Sequence, residues 1–347
     1  MRLLHVIAGA EVGGAETFAQ DAIEGLAGRG IEQAVICRPW PRAMARYAAA
    51  GIPVEPMRFG WADHLLGGGR RIRRQVQRFR PDLVHAWMSR AASFVPSGIA
   101  CPVIGWFGDS YDLKYFPHCD SFFGVTPAIV EHIAGHGIPP ERVLLANTFG
   151  TMPDSPPVDR AGLGVPDGAP LLLVLARMHA VKGIDTFLRA LALTPGLFAW
   201  IAGEGPEREA YELLCSQLGL GGRVRFLGWR NDRKALLAAC DVVVLPSRYE
   251  PFGTVILEAW AMRRPLVATR ADGARQYVTD GETGVLCAID DVGGLAQALR
   301  RVAEDADLRG RLAEAGHRRY TAEFTREIVL GRLLDAYKTA LALGKRG

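Results

Sequence analysis

Two glutamates stand seven residues apart in the run Glu250-Pro-Phe-Gly-Thr-Val-Ile-Leu-Glu258. An apolar stretch ending at Leu245 precedes them and reads as a strand, and residues 254–262 read as a helix. Within that helix Val255, Ile256, Leu257, Ala259, Trp260 and Ala261 surround Glu258, so its carboxylate is expected in apolar company. A buried carboxylate costs several kcal/mol, on the order of the penalty for an unpaired buried ion, unless donors satisfy it. The hydroxyls of a ribose are suitable donors. The alternative is a capping loop followed by a core helix in which Glu258 meets an arginine such as Arg263 or Arg275. Phe252, Gly253 and Thr254 form the loop-to-helix junction, where unsatisfied N–H groups and the helix macrodipole favour a phosphate. Glu250, just upstream, then faces a sugar beyond that phosphate.

Arg177-Met-His-Ala-Val-Lys182-Gly183 follows another apolar run, 171–175, and opens the next helix. Arginine can chelate phosphate oxygens bidentately and lysine adds a point charge, so the two together suit a diphosphate. Near the amino end, Gly13-Gly14 follows the first strand and gives a ligand close access to backbone; a tight strand-to-helix turn is the plainer alternative. This loop lacks the spacing G-x-G-x-x-G and no acidic partner follows at the expected distance, which disfavours a nicotinamide enzyme.

The elements that must position these residues alternate between short apolar runs and longer amphipathic stretches, the pattern of β-α-β units feeding parallel sheets. Strands are expected at 3–8, 33–37, 83–86, 103–106 and 121–125, then at 171–175, 198–202, 224–227, 242–245, 266–269 and 284–287. Helices are expected at 15–28 and 70–79, and at 311–320 and 327–343 in a largely helical carboxyl end. The Pro-rich stretch 151–170 reads as a linker. An α/β chain of two doubly wound domains facing a cleft follows, with ligands beyond the carboxyl ends of the strands.

The 347 residues suffice for two domains, and 49% hydrophobic with 22% charged residues is ordinary globular composition. The formal net charge of +4 is too small over this length to argue for nucleic acid. The six cysteines show no C-x-x-C pair and read as buried thiols in a reducing, cytoplasmic setting. The apolar start is too short for a signal-peptide core, and the uncharged stretch 91–108 is broken by Pro96, Gly98 and Pro102, against a membrane span.

Taken in order, Arg177 with Lys182-Gly183, Gly203-Glu204-Gly205-Pro206, Phe226-Leu227-Gly228 and Glu250 to Glu258 resemble the retaining nucleotide-sugar glycosyltransferases of family 4. The likeness covers most of the carboxyl half and continues through Gly13-Gly14-Ala15-Glu16 and Asn147. It implies a GT-B fold: a Rossmann-like acceptor domain at 1–160, a Rossmann-like donor domain at 161–325, and a helix at 326–347 crossing back to the first domain. It implies a sugar donor linked to a nucleoside diphosphate, UDP or GDP, and no cofactor besides. Arg177 and Lys182 would neutralise the leaving diphosphate, Glu250 would contact sugar hydroxyls, and Glu258 would bind ribose. Gly13, Gly14, Gly203, Phe252, Gly253 and Thr254 would complete the donor site. The stretch Gly228-Trp229-Arg230 would read the base.

The family commonly places a histidine after the strand that ends here near Trp106, but this chain reads Trp106-Phe-Gly-Asp109-Ser-Tyr-Asp112. Asp109 or Asp112 is therefore the expected partner of the acceptor hydroxyl. Residues 111–115 are similar to relatives that build bacterial envelope polysaccharide or lipopolysaccharide, so the expected acceptor is a glycan or lipid-linked envelope component. His85 competes, though a satisfied histidine at a strand end is the better account of it. Asp305-Ala-Asp307 matches a metal-holding Asp-x-Asp in letters only and reads as a helix start, so transfer is expected to be metal-independent.

Arg70, Arg71, Arg73, Arg74, Arg78 and Arg80 crowd one helix whose Ile72, Val76 and Phe79 form an apolar stripe. Its basic face suits plain solvation, anionic lipid at a membrane surface, or the steering of a phosphorylated acceptor. Two other readings compete with transfer: a nucleotide-sugar epimerase of the same fold, and a scaffold that has lost turnover.

Overall fold

The structure is a computed structural model describing residues 1–11, 13–61, 63 and 67–346. The chain divides into two compact units, Met1–Phe149 with Arg326–Gly347, and Gly150–Thr325.

The first unit is built on seven strands: β1 (Arg2–Ile7), β2 (Glu32–Cys37), β3 (Val54–Pro56), β4 (Leu83–Trp87), β5 (Val103–Phe107), β6 (Ser121–Gly124) and β7 (Val143–Leu145). They lie in the order β3-β2-β1-β4-β5-β6-β7, all parallel. The direction of winding reverses between β1 and β4, and such a switch opens a crevice beyond the carboxyl ends of the strands. β3 and β7, each three residues long at a sheet edge, were absent from the sequence expectation.

The second unit has six parallel strands: β8 (Leu171–Leu175), β9 (Phe198–Ala202), β10 (Val224–Gly228), β11 (Val242–Leu245), β12 (Leu266–Thr269) and β13 (Val285–Cys287). Their order is β10-β9-β8-β11-β12-β13, with the switch between β8 and β11. Continuous apolar strands such as Leu171–Leu175 and Val242–Leu245 are buried along their whole length, as expected of a sheet covered on both faces. Residues 151–170 hold no strand or helix, and Arg160 ties this stretch to the unit through the Ala169 and Ala239 carbonyls and Asp241.

The last helix, Arg326–Leu343, belongs to the first unit. Val329, Leu330, Leu333, Tyr337 and Ala340 are buried on it, and Leu330 packs so closely on Gly25 that any side chain there would collide with it. Beyond it Arg142 donates to the Leu343, Gly344 and Lys345 carbonyls, satisfying orphan groups of the helix end. All six cysteines are buried and unbonded to one another. Among the described residues no helix is long and apolar enough to cross a membrane; 91–108 contains the end of the Met88–Phe94 helix, a turn and β5.

Candidate functional site

The loops after β8, β9 and β11 in the second unit interlock through glycines. A Cβ on Gly203, whose φ is 148°, would lie 1.9 Å from the Ala176 carbonyl oxygen. One on Gly183, with φ 62°, would lie 2.0 Å from that of Pro246. These approaches bring the loop carrying Arg177 and Lys182 against the loop carrying Glu250. Backbone bonds continue the contact: Met178 N donates to the Glu204 carbonyl (2.9 Å), and Arg248 N to that of Val181 (2.8 Å).

Arg248 completes the clamp. Its guanidinium grips Asp185 with two bonds, at 2.8 and 2.7 Å, and reaches Asp290 and the Ala180 carbonyl. Both aspartates are held below the usual carboxylate range: for Asp185 by the Arg248 bonds against an opposing desolvation, for Asp290 chiefly by its bond to Arg248. Arg248 was missed in the sequence. The available signal was an arginine just after a strand and two positions before Glu250, but its partners lie in two other loops.

Within this frame Lys182 Nζ stands 2.7 Å from Glu250 Oε2, and the Ser247 hydroxyl donates weakly to the same oxygen at 3.4 Å. Arg177 is exposed, and its side chain makes no hydrogen bond or ion pair among the described residues. Gly253 takes a left-handed conformation (φ 85°) and supplies no side-chain cap to the Thr254–Ala261 helix, leaving amide donors at its start. Phe252 is buried against Tyr277, ring centroids 5.0 Å apart, and its carbonyl lies so close to Gly273 that a Cβ there would clash. Phe252 thus anchors the junction from below.

Glu258 is 1% exposed, and burial raises its pKa while Arg233 opposes the rise. Its Oε1 pairs with Arg233, whereas its Oε2 is buried with no partner. The alternative of an arginine partner is met by Arg233 rather than by Arg263 or Arg275, which pair with Glu314 and Asp272. Residue 258 projects from its helix toward the helix Arg233–Ala239 and toward Gly150, where a Cβ would lie 3.3 Å from Glu258 Cγ. At the end of β10, Gly228 accepts from Gly203 N, Trp229 is exposed and Arg230 pairs with Asp232.

In the first unit the glycine-rich loop wraps the Glu16 side chain. Glu16 Oε1 accepts from Ala10 N at 2.9 Å, and Cβ atoms on Gly9 or Gly13 would strike that carboxylate. Gly14 opens the Gly14–Leu26 helix with open space beside it. Asn147 is buried and donates to the Val125 carbonyl. Asp109 accepts from Ser110 N. Asp112 is already engaged, accepting from Lys114 N (2.9 Å) and pairing with Lys114 Nζ (2.7 Å) to cap the short turn Leu113–Tyr115. His85 lies inside β4 rather than after it, wholly buried, with Nδ1 2.7 Å from the Tyr337 hydroxyl. Asp305 caps the Ala306–Glu323 helix through Leu308 N. Among the described residues no group of three or more His, Cys, Asp or Glu side chains is gathered as for a metal ion.

On the Gly68–Phe79 helix, Ile72 and Val76 are buried, Arg71 pairs with Glu55 and Arg73 reaches the Ser97 carbonyl. Arg70, Arg74, Arg78 and Arg80 point to solvent, with no ion pair among the described residues, and Trp61 upstream is 79% exposed.

Comparison with known proteins gives concordant results. Residues 157–319 match the glycosyl transferases group 1 and residues 12–146 match glycosyltransferase family 4. The chain is 37% identical over 346 residues to the lipopolysaccharide core biosynthesis glycosyltransferase LpsE of Rhizobium meliloti (strain 1021), covering 99% of each chain. It is 32% identical, again over 99% of each, to LpsD of the same organism, which bears the same description. Its fold is similar to that of Anabaena Alr3699/HepE, solved in complex with UDP and glucose, with a TM-score of 0.84, 22% identity, and coverage of 98% of this chain and 100% of that one.

Proposed function

The chain belongs to glycosyltransferase family 4, the group 1 glycosyl transferases with the GT-B fold, and from that premise we propose that it transfers a sugar, with retention, from a UDP-sugar onto the lipopolysaccharide core. The observation that carries this reading is the buried, unpartnered Oε2 of Glu258, on the helix that follows the loop of the Lys182–Glu250 pair at the switch of the second sheet. The lipopolysaccharide acceptor is supported by the two Rhizobium relatives, and the UDP donor by the likeness to the Anabaena fold.

The unit 150–325 holds the donor and the unit built on 1–149 receives the acceptor. The ribose hydroxyls donate to Glu258, whose second oxygen gains the partner it lacks. The diphosphate draws on the amides at the start of the Thr254–Ala261 helix, on Thr254, and on Arg177 and Lys182. Fixed cations in a partly desolvated site stabilise charge as it develops on the leaving group, so the step proceeds without a divalent metal. Once the diphosphate engages Lys182, Glu250 is released from its ion pair to accept from sugar hydroxyls. Gly203 keeps the loops after β8 and β9 close enough for this arrangement. The anomeric C–O bond to the β-phosphate breaks, UDP leaves, and the acceptor oxygen bonds to the same face as its proton passes to the carboxylate of Asp109 or Asp112. Asp109 or Asp112 is the acceptor-side residue, each already engaged by its neighbours in the loop after β5.

Beyond catalysis, the exposed arginines of the Gly68–Phe79 helix and Trp61 make contact with an anionic membrane surface where a lipid-linked acceptor resides.

The test is a thermal-shift panel of UDP, GDP, ADP and dTDP in EDTA, followed by transfer assays with UDP-sugars and isolated core. At a hundredfold excess over Kd a ligand stabilises by about 2.7 kcal/mol. A shift with UDP alone and sugar incorporation in EDTA is the expected result. A UDP-sugar consumed to an isomer without acceptor, or no nucleotide shift at all, rejects it.

A further inference from the structure

The carboxyl edge of the first sheet carries arginines that no acid answers among the described residues. β2 and β4 flank β1, with Ile7 level with Cys37 on one side and Trp87 on the other. The residues leaving β2 and β4 therefore emerge on either side of the end of β1, at the switch of this sheet. They are Arg38, directly after Cys37, and Met88 to Arg90, which open the Met88–Phe94 helix. One strand farther out, Met57 N donates to the Cys37 carbonyl, which brings Arg58 to the same edge.

Arg38 Nε is buried without a hydrogen-bond partner. Burial, and next to it the charge of Arg90, disfavour the ionised Arg38 guanidinium, so the two cations lie within each other's field. Glu16 lines the same hollow as Arg38, but it is engaged by Ala10 N and forms no ion pair with either arginine among the described residues. The edge is also strained: Phe59 and Met88, neither a glycine, take left-handed backbone with φ of 55° and 65°. Such conformations persist only where the surrounding structure holds them, and they cluster at ligand sites.

We propose that Arg38 and Arg90, with Arg58 at the rim, form a subsite for a phosphomonoester carried by the acceptor. Two guanidiniums match the double charge and the several acceptor oxygens of a phosphomonoester, whereas a single carboxylate would leave one cation uncompensated. The inference rests on the reading of this unit as the acceptor side.

Arg38→Gln and Arg90→Gln are each assayed with two acceptors: core oligosaccharide bearing phosphomonoesters, and the same material after phosphatase. With the phosphorylated acceptor, KM is expected to rise about tenfold or more in each variant, the scale of a lost charge-assisted hydrogen bond, with kcat and the Kd for UDP nearly unchanged. With the treated acceptor, wild type is expected to fall to the level of the variants. Equal KM for wild type and variants on the phosphorylated acceptor overturns the proposal, as does an equal loss on both acceptors. Binding of glycerol 3-phosphate, measured without donor, separates this inference from the transfer reading. Binding weakened in both variants while no sugar is transferred upholds the anion site and rejects the transferase reading. Binding equal to wild type rejects the site even where transfer proceeds.

Discussion

Lys182 Nζ meets Glu250 Oε2 at 2.7 Å, although 68 positions separate them in the chain. Each is largely shielded, with side-chain exposures of 22% and 16%. The pair holds the two charges of the proposed donor site in place before a diphosphate arrives to compete for the lysine. Glu250→Gln keeps the shape and removes the charge. It is expected to lower kcat by about a hundredfold or more, the scale of losing one preorganised electrostatic group, while leaving the Kd for UDP nearly unchanged. Steady-state kinetics beside UDP titration checks this, and a loss confined to UDP affinity would contradict the role.

Glu258→Ala should behave in the opposite way, weakening UDP first and abolishing most of its thermal shift. Arg233→Ala leaves Glu258 buried without its cation and is expected to destabilise the fold by about 2 kcal/mol, less than a fully buried pair because Arg233 is partly exposed. The pH dependence gives a second check. Burial raises the Glu258 pKa above its unfolded value, so its protonated form favours folding and the penalty grows as pH rises through the folded pKa. Urea unfolding should therefore find the deficit of Arg233→Ala smaller at pH 5 than at pH 7.5; a deficit independent of pH would count against a charged, unpaired Glu258.

Arg248 joins three loops through Asp185, Asp290 and the Ala180 carbonyl. Its replacement by alanine should cost about 2 kcal/mol, the scale of a few charge-assisted bonds in a part-exposed network. The same change should raise KM for the donor, since Lys182 and Glu250 lie within the loops it clamps. Unchanged donor KM in a destabilised protein would show that the clamp is structural only.

His5 sits in the core of the first unit, where the indole Nε1 of Trp87 donates to its Nδ1 at 3.2 Å and Gln33 Oε1 lies 3.1 Å from its Nε2. An indole N–H can only donate, so Nδ1 is the acceptor and Nε2 carries the proton. Burial pushes the pKa of His5 down to about 4 and holds that of the buried His85 well below the ordinary value. Between pH 6.5 and 4 the unfolded chain then binds more protons than the folded one, so stability falls as pH drops across that window. His5 alone accounts for at most about 3 kcal/mol of this loss. Unfolding free energies at pH 7 and pH 4.5 should show a smaller difference in His5→Gln than in wild type.

Sedimentation with vesicles tests the basic helix. Wild type is expected to pellet with anionic vesicles at low salt and to be released at high salt, as screening weakens charge attraction. Replacing Arg70, Arg74 and Arg78 by glutamine should abolish pelleting while leaving UDP binding unchanged. Wild type remaining in the supernatant at low salt would reject membrane contact.

The fold was largely legible from the chain. Runs such as Leu-Leu-Leu-Val-Leu and Val-Val-Val-Leu are apolar without alternation because both faces of a parallel strand are covered, and this local signal marked the central strands of the second sheet. Asp305 was legible as a helix cap for the same reason: a cap and its amide are three residues apart. The edge strands Val54–Pro56 and Val143–Leu145 were not, the first having Glu55 and Pro56 among its three residues.

Among the site residues, the sequence determined which types follow which strand, because backbone connectivity carries that information. It marked Glu258 as a carboxylate in an apolar helix that needs donors, ribose hydroxyls or else an arginine near in the chain such as Arg263 or Arg275. Tertiary structure chose Arg233, from a helix 25 residues upstream, and left one oxygen unpartnered. Tertiary structure likewise decided that Lys182 meets Glu250, that Arg248 clamps their loops, and that Arg38 and Arg90 leave strands on either side of β1. Most of these relationships depend on which strands lie side by side, and strand order is set by the packing of whole sheets rather than by any local run of residues.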